Sequence, residues 1–467
     1  MQPYDQFYKQ IINTISAGHI SEAIDRYQAY LKNAQITPIM LHNFAALLGD
    51  AGYFAEAIKN CDRAFEMGLD EPETWLIYAR ALQGCNRVEE AKNTFRRVLS
   101  KRPLDYFAQR ELAQLIWMTS KDREASLKTI DRSIQEHSSD VALKLIRAQI
   151  IGFIGDAGAE FKALEECVDL SGKPDVGWVF YIGAALSAGF YERALEVAER
   201  GLGLDNTIHN FREFISRAHL ALGAPKEALS HLEKLRTLDS ANQYYIALLA
   251  TTYRMLGDGR YKDYFDYENL VVKSPLKIPS GWKNLDQYCD DLISALDERH
   301  QYQTHPFGLS VRNGSQVSSI ERMENPALRA FPEAAAGAVA YYLNHVFKTR
   351  GNKSALGTLQ DQQAKLLAAW SVSLPPGGFH INHVHPQGWL SSACHLRTVK
   401  PQNSDSKEGW LKFGEPGIVT KPALSTEHFI EPEGGTMVIF PSFMWHGTVE
   451  FGGQANRMTI AADFVRS

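Results

Sequence analysis

The chain shows two different patterns of apolar and polar residues. Over the first 265 or so residues, similar helix-forming segments recur, such as AGHISEAIDRY, AGYFAEAIKNCDRAF and AGFYERALEVAERGL. From about Ala368 the chain becomes a series of short β-rich runs separated by glycine, proline and asparagine. The pattern predicts a helical N-terminal part and a β-rich C-terminal part.

The helical part has a regular period. A turn residue recurs every 34 residues, with one step of 35 between Ser120 and Gly155, and an alanine follows most of these turns after five residues. The unit that turns at Gly155 has Glu160 at the alanine position. Glycine or asparagine permits a tight turn, and a small side chain permits close approach of two helices. The turn residues are Gly18, Gly52, Asn86, Ser120, Gly155, Gly189, Gly223 and Gly257, and the alanines are Ala23, Ala57, Ala91, Ala125, Ala194 and Ala228.

A 34-residue helix–turn–helix period with this alanine resembles tetratricopeptide repeats over more than half of the chain. The resemblance implies a solenoid over residues 1–265, with seven repeats and a degenerate eighth that ends near Tyr261. By analogy with the fold, its groove captures a peptide or protein. A rigid spacer or a dimerisation surface is the alternative.

The chain changes character after Tyr261. Pro275, Pro279 and Gly281 indicate a connection. A helix is predicted over 283–299, and another from about Ala327 to Phe347 that begins at Asn325–Pro326.

The β-rich runs predict the architecture of the C-terminal part. They are AAWSVSL, GWLSSACHLRTV, GWLKF, EHFIEP, GTMVIF, HGTVEF and RMTIAADF. Seven or eight short strands in about 100 residues predict a small jelly roll, or double-stranded β-helix, with its core over 368–467. The fold class is therefore multidomain α + β, with flanking helices beside the barrel in a second domain over 266–467.

Three histidines and an arginine in this part suggest a metal site. His383 and His385 stand two residues apart, so on a strand their imidazoles face the same side. His446, from a distant strand, can complete one face of an octahedral metal. Arg457 lies beyond a hairpin that would fold it back towards the metal, where a guanidinium can hold a carboxylate bidentately. His380 is an odd distance from His383 and is expected on the opposite face.

The segment from about Asp266 resembles Fe(II)- and 2-oxoglutarate-dependent oxygenases of a family often found behind tetratricopeptide repeats. GLSVRNGSQV, HVHPQGWLSSACHL, EPEGGTMVIFPSFMWHGT and NRMTIAADF carry the resemblance. It implies that His383, His385 and His446 bind Fe(II) and that Arg457 pairs with 2-oxoglutarate. O2 is then the oxidant and a hydroxylated substrate the product. A peptide side chain (Pro, Asp or Asn) recruited by the repeats is the expected substrate, and a small molecule is the alternative.

Further residues are candidates for the same site. Arg312 and Gln316, in the segment before the barrel, and Trp389 are candidate substrate contacts. A structural ion pair is the alternative role for Arg312, and core packing for Trp389. Ser391 is a candidate hydrogen-bond partner of the keto acid.

One departure from the wider superfamily keeps other functions open. Most such enzymes use His-x-Asp or His-x-Glu, whereas this chain has His385 at the third position. The chain could therefore be a three-histidine dioxygenase that needs no 2-oxoglutarate. It could also be a non-catalytic adaptor whose barrel only binds a metal.

Composition narrows the class of protein further. With 467 residues, two or three domains are expected. A net charge of −5 gives no reason to expect nucleic-acid or acidic-membrane partners. No signal peptide or transmembrane segment is expected, and the five scattered cysteines are expected to be buried free thiols in the cytoplasm.

Overall fold

The computed structural model describes residues 3–351, 355–357, 362–401, 403 and 405–466. Its contacts divide the chain into two compact units. One comprises residues 1–116 and 128–133, and the other comprises 117–127 and 134–467. Among the described residues, no helix is both long enough and apolar enough to cross a membrane.

The N-terminal part consists of helices that follow one another across turns of two or three residues within each pair. From α1 to α6, and again from α9 to α15, each helix packs on its neighbours along the chain. This confirms the predicted helical class. The helices are α1 Tyr4–Ser16, α2 Ile20–Asn33, α3 Pro38–Asp50, α4 Phe54–Glu66, α5 Pro72–Gly84, α6 Val88–Lys101, α7 Tyr106–Ser120, α8 Arg123–Glu136, α9 Val141–Ile154, α10 Ala157–Glu165, α11 Val176–Ala188, α12 Tyr191–Leu204, α13 His209–Leu222, α14 Pro225–Leu238 and α15 Gln243–Leu256.

The turns within pairs contain a residue in the left-handed region, as the glycine pattern predicts. Gly18, Gly52, Asn86, Gly155, Gly189, Gly223 and Gly257 all have positive φ. The fourth turn was predicted wrongly: its left-handed residue is Lys121, with φ of 56°, and Ser120 ends α7. The 35-residue step therefore lies between Asn86 and Lys121 rather than after Ser120.

The small side chain of each unit lies where the two helices meet. Ala23, Ala57, Ala91, Ala194 and Ala228 are fully buried. In the fourth unit the corresponding residue, five after Lys121, is Ser126, which is buried, whereas the predicted Ala125 is only half-buried.

The segment between the repeats and the β-sheets contains short helices and two longer ones. Asn325 starts α19 as predicted, because its side chain accepts hydrogen bonds from the backbone of Ala327 and Leu328. The single predicted helix is interrupted at Ala330, since Pro332 has no N–H with which to continue the helical ladder. The helices are α16 Tyr261–Tyr264, α17 Tyr267–Leu270, α18 Leu285–Asp297, α19 Pro326–Arg329 and α20 Phe331–Arg350, with a 3₁₀ turn at Ile320–Arg322.

The C-terminal part contains antiparallel sheets, which confirms the predicted β architecture. The larger sheet has the order β1-β9-β6-β11-β4-β3, a second has the order β10-β7-β8, and β2 pairs with β5. The strands are β1 Val272–Pro275, β2 Val311–Arg312, β3 Ser315–Ser318, β4 Ala364–Leu374, β5 Phe379–His380, β6 Leu390–Arg397, β7 Leu411–Phe413, β8 His428–Ile430, β9 Thr436–Pro441, β10 His446–Thr448 and β11 Arg457–Arg466.

Pro275 was predicted to lie in a connection, but it is the last residue of β1 and pairs with Thr436. A proline is tolerated there because β1 is the edge strand of its sheet.

The last repeat helix packs directly on the β-sheets. The Trp445 indole donates to the Thr251 hydroxyl at 2.9 Å, and Arg254 donates to the carbonyl oxygens of Gly414 and Ser425. Repeat helices from α9 onward and the sheets belong to one compact unit. The domain boundary at residue 265 therefore stays a prediction.

The cysteines are all unpaired, as expected. Cys61, Cys289 and Cys394 are buried, whereas Cys85 and Cys167 are only half-buried.

Candidate metal centre and its cavity

A cavity of about 840 Å³ lies against the inner face of the larger sheet. Its wall includes His446 and Leu411 from the second sheet and Arg312 from β2. Gly152 and Phe153, at the C-terminal end of α9, also line it, so a repeat helix forms part of the wall.

Strand β11 contributes side chains to this cavity by simple alternation. Arg457, Thr459, Ala461 and Asp463 line the cavity, whereas Met458, Ile460, Ala462 and Phe464 belong to the apolar core on the other face. Successive side chains of a strand point to opposite faces, so the period of two separates the polar set from the apolar one.

The three predicted histidines come together in this cavity. His383 and His446 exchange both backbone hydrogen bonds, at 2.9 and 3.0 Å, and the backbone N–H of His385 donates to Ser442 at 3.0 Å. The segment around His383 makes only this isolated bridge and is not a regular strand, contrary to the prediction. Its two imidazoles converge because the backbone of each is tied separately to the 442–446 segment.

Each of the three imidazoles has a hydrogen-bond acceptor at Nδ1. The acceptors are the Ile381 carbonyl at 2.8 Å for His383, the Met444 carbonyl at 2.9 Å for His446, and the Asp463 carboxylate at 2.5 Å for His385. An acceptor at Nδ1 assigns the proton to that nitrogen and leaves the lone pair on Nε2. All three side chains are therefore in the tautomer that binds a metal through Nε2.

The spacing of the ligand atoms fits one metal ion. Candidate ligand atoms of His383, His385 and His446 all lie within 4.8 Å of one another, and the Nε2 atoms of His383 and His385 are 3.2 Å apart. Two nitrogens bound at right angles with bonds of about 2.1 Å would be about 3.0 Å apart. Two Nε2 lone pairs facing each other have no proton to share, so a cation is the natural occupant.

The electrostatics of the site also suit neutral imidazole ligands. Burial lowers the pKa of His383 to about 3, with a further contribution from His385. Burial likewise holds the pKa of His446 well below its ordinary value, followed by the effect of the neighbouring His383. Neutral imidazole is the form that binds a metal.

Asp463 is a site residue that the sequence reasoning missed. Its carboxylate accepts from His385 Nδ1 at 2.5 Å and from the Ser391 hydroxyl at 2.7 Å. A carboxylate in this position fixes the ring of a ligating histidine and makes it a better donor. Its position six residues after Arg457 was the available signal, because an even spacing on one strand puts both side chains on the same face.

Arg457 reaches the cavity by a different path from the predicted one. It begins β11, which pairs with β4 and β6, whereas β10 with His446 pairs with β7 in the other sheet. The expected hairpin pairing with His446 is therefore wrong, although both residues line the same cavity.

Within the described residues, the guanidinium of Arg457 has no acidic partner. The residue is only 2 % exposed, its Nε has no hydrogen-bond partner, and it forms no ion pair within the described part of the chain. Its Nη2 lies 3.4 Å from Nδ1 of His395, and burial lowers the pKa of Arg457 to about 10. A buried cation without a counter-charge is costly, so the cavity is suited to an anion.

The other candidate residues divide into two groups. Arg312 and Gln316 line the cavity, as does Ser392. Trp389 does not line it: its indole donates to the Leu356 carbonyl at 3.3 Å in the core. Ser391 does not line it either, and its hydroxyl instead supports Asp463.

His380 lies beside the triad but outside it. Its ring stacks on that of His383 with centroids 5.8 Å apart, and its Nδ1 is 3.0 Å from the Ser310 hydroxyl. The group of residues that could hold a metal does not include it.

Comparisons with known proteins show similarity for two separate segments of the chain. Residues 368–463 match a family model described as "Putative 2OG-Fe(II) oxygenase", and residues 72–115 match a tetratricopeptide-repeat model. The two family resemblances read from the sequence are thereby confirmed. The C-terminal segment is similar to 2-oxoglutarate- and iron-dependent oxygenases, and the helical part to tetratricopeptide repeats. No curated protein matches the chain in sequence.

Two solved structures are similar in part. A tetratricopeptide repeat protein from Parabacteroides merdae covers 53% of this chain and 98% of its own, with 14% identity and a TM-score of 0.39. A prolyl-4-hydroxylase from Pseudomonas putida covers 43% of this chain and 96% of its own, with 15% identity and a TM-score of 0.30.

Proposed function

We propose that the protein is an Fe(II)- and 2-oxoglutarate-dependent oxygenase that hydroxylates a side chain of a peptide or protein. The observation that carries this proposal is one cavity with two features. Three imidazoles, each with Nε2 free, converge at one point, and the same cavity contains the buried, unpaired guanidinium of Arg457. The family match over residues 368–463 supports it.

In this proposal the histidines hold the metal. The Nε2 atoms of His383, His385 and His446 would hold the ion. When bound, Fe(II) and 2-oxoglutarate together supply the oxidation of a substrate C–H group by O2. The hydrogen bonds at Nδ1, especially that to Asp463, keep the three rings oriented before any ligand arrives.

Arg457 is proposed to bind the distal carboxylate of 2-oxoglutarate. A carboxylate would fill the unused hydrogen-bonding capacity of its guanidinium and compensate a charge that is otherwise buried alone. His395 is neutral because burial and Arg457 hold its pKa well below the ordinary value, so it can accept a hydrogen bond from the guanidinium.

The remaining volume is proposed to hold the substrate. A cavity of about 840 Å³ is much larger than a five-carbon dicarboxylate needs. Its wall includes the end of a repeat helix, which supports a role of the repeats in presenting the substrate. We also propose a cytoplasmic location, in which the five unpaired cysteines would remain reduced.

Anaerobic titration of the Fe(II)-loaded protein with 2-oxoglutarate tests the proposal. A visible charge-transfer band should appear and saturate, because the keto acid chelates the ion. Glutarate, which lacks the keto group, should compete for the site without producing the band. Iron binding with neither band nor competition would reject the use of 2-oxoglutarate and favour a non-catalytic barrel.

A further inference from the structure

Arg312 is a second guanidinium in the same cavity, and it also has no acidic partner within the described residues. Its Nη1 donates to the carbonyl oxygens of Leu309 at 2.6 Å and Val311 at 2.8 Å. The ion-pair role that the sequence left open for it is therefore absent from the described part of the chain. Backbone carbonyls orient the guanidinium but do not neutralise it.

Among the described residues that line the cavity, none offers a spare carboxylate to Arg312. Asp463 is the acidic residue that lines the described wall, and its carboxylate is engaged with His385 and Ser391. With 2-oxoglutarate bound, the positive charges would be those of a divalent ion, Arg457 and Arg312, and the negative charges those of the dianionic 2-oxoglutarate and Asp463. The positive charges exceed the negative ones by one. The wider superfamily binds its metal with two imidazoles and one carboxylate. Here a neutral imidazole replaces the carboxylate, and the surplus is the charge that the carboxylate would have neutralised.

Arg312 lies between the metal ligands and the repeat helix. It pairs with Phe379 in the β2–β5 ladder, in which Val311 pairs with His380, and it lines the cavity together with His383 and with Gly152 of α9. Phe153, at the end of α9, stacks on Phe307 with centroids 5.5 Å apart and lines the cavity together with Arg312. A group bound to Arg312 would therefore lie close to the metal and beside the wall formed by the repeats.

We propose that the substrate carries a carboxylate that Arg312 binds, so that the oxidised side chain is acidic rather than an asparagine or proline side chain. This inference rests on the proposed oxygenase function. Arg457 is assigned to the co-substrate because it is almost fully buried, whereas Arg312 is only partly buried and reachable by a substrate that enters later. The surplus positive charge would then be neutralised only when the correct substrate is bound.

Two isosteric probes test the charge directly. Acetyl-aspartyl amide and acetyl-asparaginyl amide differ only in their side-chain acid and amide groups. Each is titrated calorimetrically and anaerobically into metal-loaded protein saturated with 2-oxoglutarate, so that Arg457 is already occupied. The aspartyl probe should bind at least about 10-fold more tightly than the asparaginyl probe, because only a carboxylate pairs with a guanidinium as an ion. Arg312→Gln should reduce this preference to less than about 3-fold.

The controls separate this proposal from the proposed function. Arg329→Gln removes an exposed arginine that also donates to a backbone carbonyl, and it should keep the preference. The affinity for 2-oxoglutarate, measured in the same samples, shows that each variant is saturated with the co-substrate before the probes are compared. If 2-oxoglutarate does not bind, the proposed function fails, and the probes are then compared without it in Arg312→Gln and Arg457→Gln. Equal binding of the two probes, no binding of either, or a preference that survives Arg312→Gln would overturn the role of Arg312.

Discussion

The repeat helices and the β-sheets differ in how far along the chain their decisive contacts reach. A repeat turn is closed within a few residues, as when the backbone N–H of Gly189 donates to Leu186. The candidate site instead joins His383 to His446 and His385 to Asp463, across dozens of residues. A substitution in a repeat turn should therefore change local stability. A substitution in the cavity should instead remove several contacts that join distant segments of the chain.

The largest difference is expected from removal of a metal ligand. His446→Ala should weaken metal binding by more than about 100-fold, because even supporting residues around a ligand change affinity by that order. Metal content after gel filtration measures it. His137→Ala, an exposed residue of the repeats, is the control and should retain the metal. Equal metal content in the two variants would exclude His446 from the site.

Arg457→Ala should weaken binding of 2-oxoglutarate by roughly 2–4 kcal/mol, because it removes the ion pair of a desolvated carboxylate. Anaerobic titration of the charge-transfer band gives the affinity. Arg397→Ala removes an arginine paired with Asp297 near the protein surface and should have no such effect. An unchanged affinity in Arg457→Ala would remove this residue from co-substrate binding.

Asp463→Asn should weaken metal binding by about 10–100-fold, because His385 loses a charged acceptor at Nδ1. Competition with a chelator of known affinity measures the change without any need for turnover. Ser391→Ala removes only a donor to the same carboxylate and should have a smaller effect. The role of Asp463 would be refuted by an affinity as high as that of the unmodified protein.

Glu160 occupies the position at which the other repeats have a small side chain, so its substitution tests the stability of the repeats. Burial raises its pKa to about 7, above the unfolded value of 4.5, so the folded state keeps a proton that the unfolded state releases. The stability contributed by the protonated form is thus lost as the pH rises from about 4.5 through 7. Glu160→Gln should be more stable than the unmodified protein by about 1 kcal/mol at pH 8 and nearly equal to it at pH 4.5.

Chemical denaturation at the two pH values measures this difference. Glu165→Gln, at an exposed position of the same helix, should show no pH-dependent gain. A gain that is the same at both pH values would mean that ionisation of Glu160 does not affect stability.

The smallest effect is expected at the irregular turn. Lys121 has φ of 56° where most of the other turns have glycine, so Lys121→Gly should stabilise the protein by about 0.5 kcal/mol. Lys128→Gly, within α8, should instead destabilise it by about 1 kcal/mol. Denaturant midpoints compare the two, and a loss of stability in Lys121→Gly would show that its side chain matters more than its backbone angle.

The sequence by itself determined the elements whose contacts are local. The period of 34 residues located the repeat turns, and it failed only by one residue at Lys121, where neither glycine nor asparagine marks the left-handed position. The three histidines were also predicted from their two short motifs, because the identity of a ligand is given by a few consecutive residues. Even spacing along β11 would have indicated Asp463 as well, since alternate side chains of a strand share a face.

Only the tertiary structure decided which of these residues meet. Sheet order placed Arg457 on a different sheet from His446, and packing removed Trp389 from the cavity and made Ser391 a support for Asp463. The same packing placed Arg312 in the cavity of the metal ligands, with no counter-charge from the residues that the structure describes. These positions depend on contacts between segments that are far apart in the sequence. The pattern of residues along the chain does not show how deeply a charged side chain is buried in the fold or which residue pairs with it.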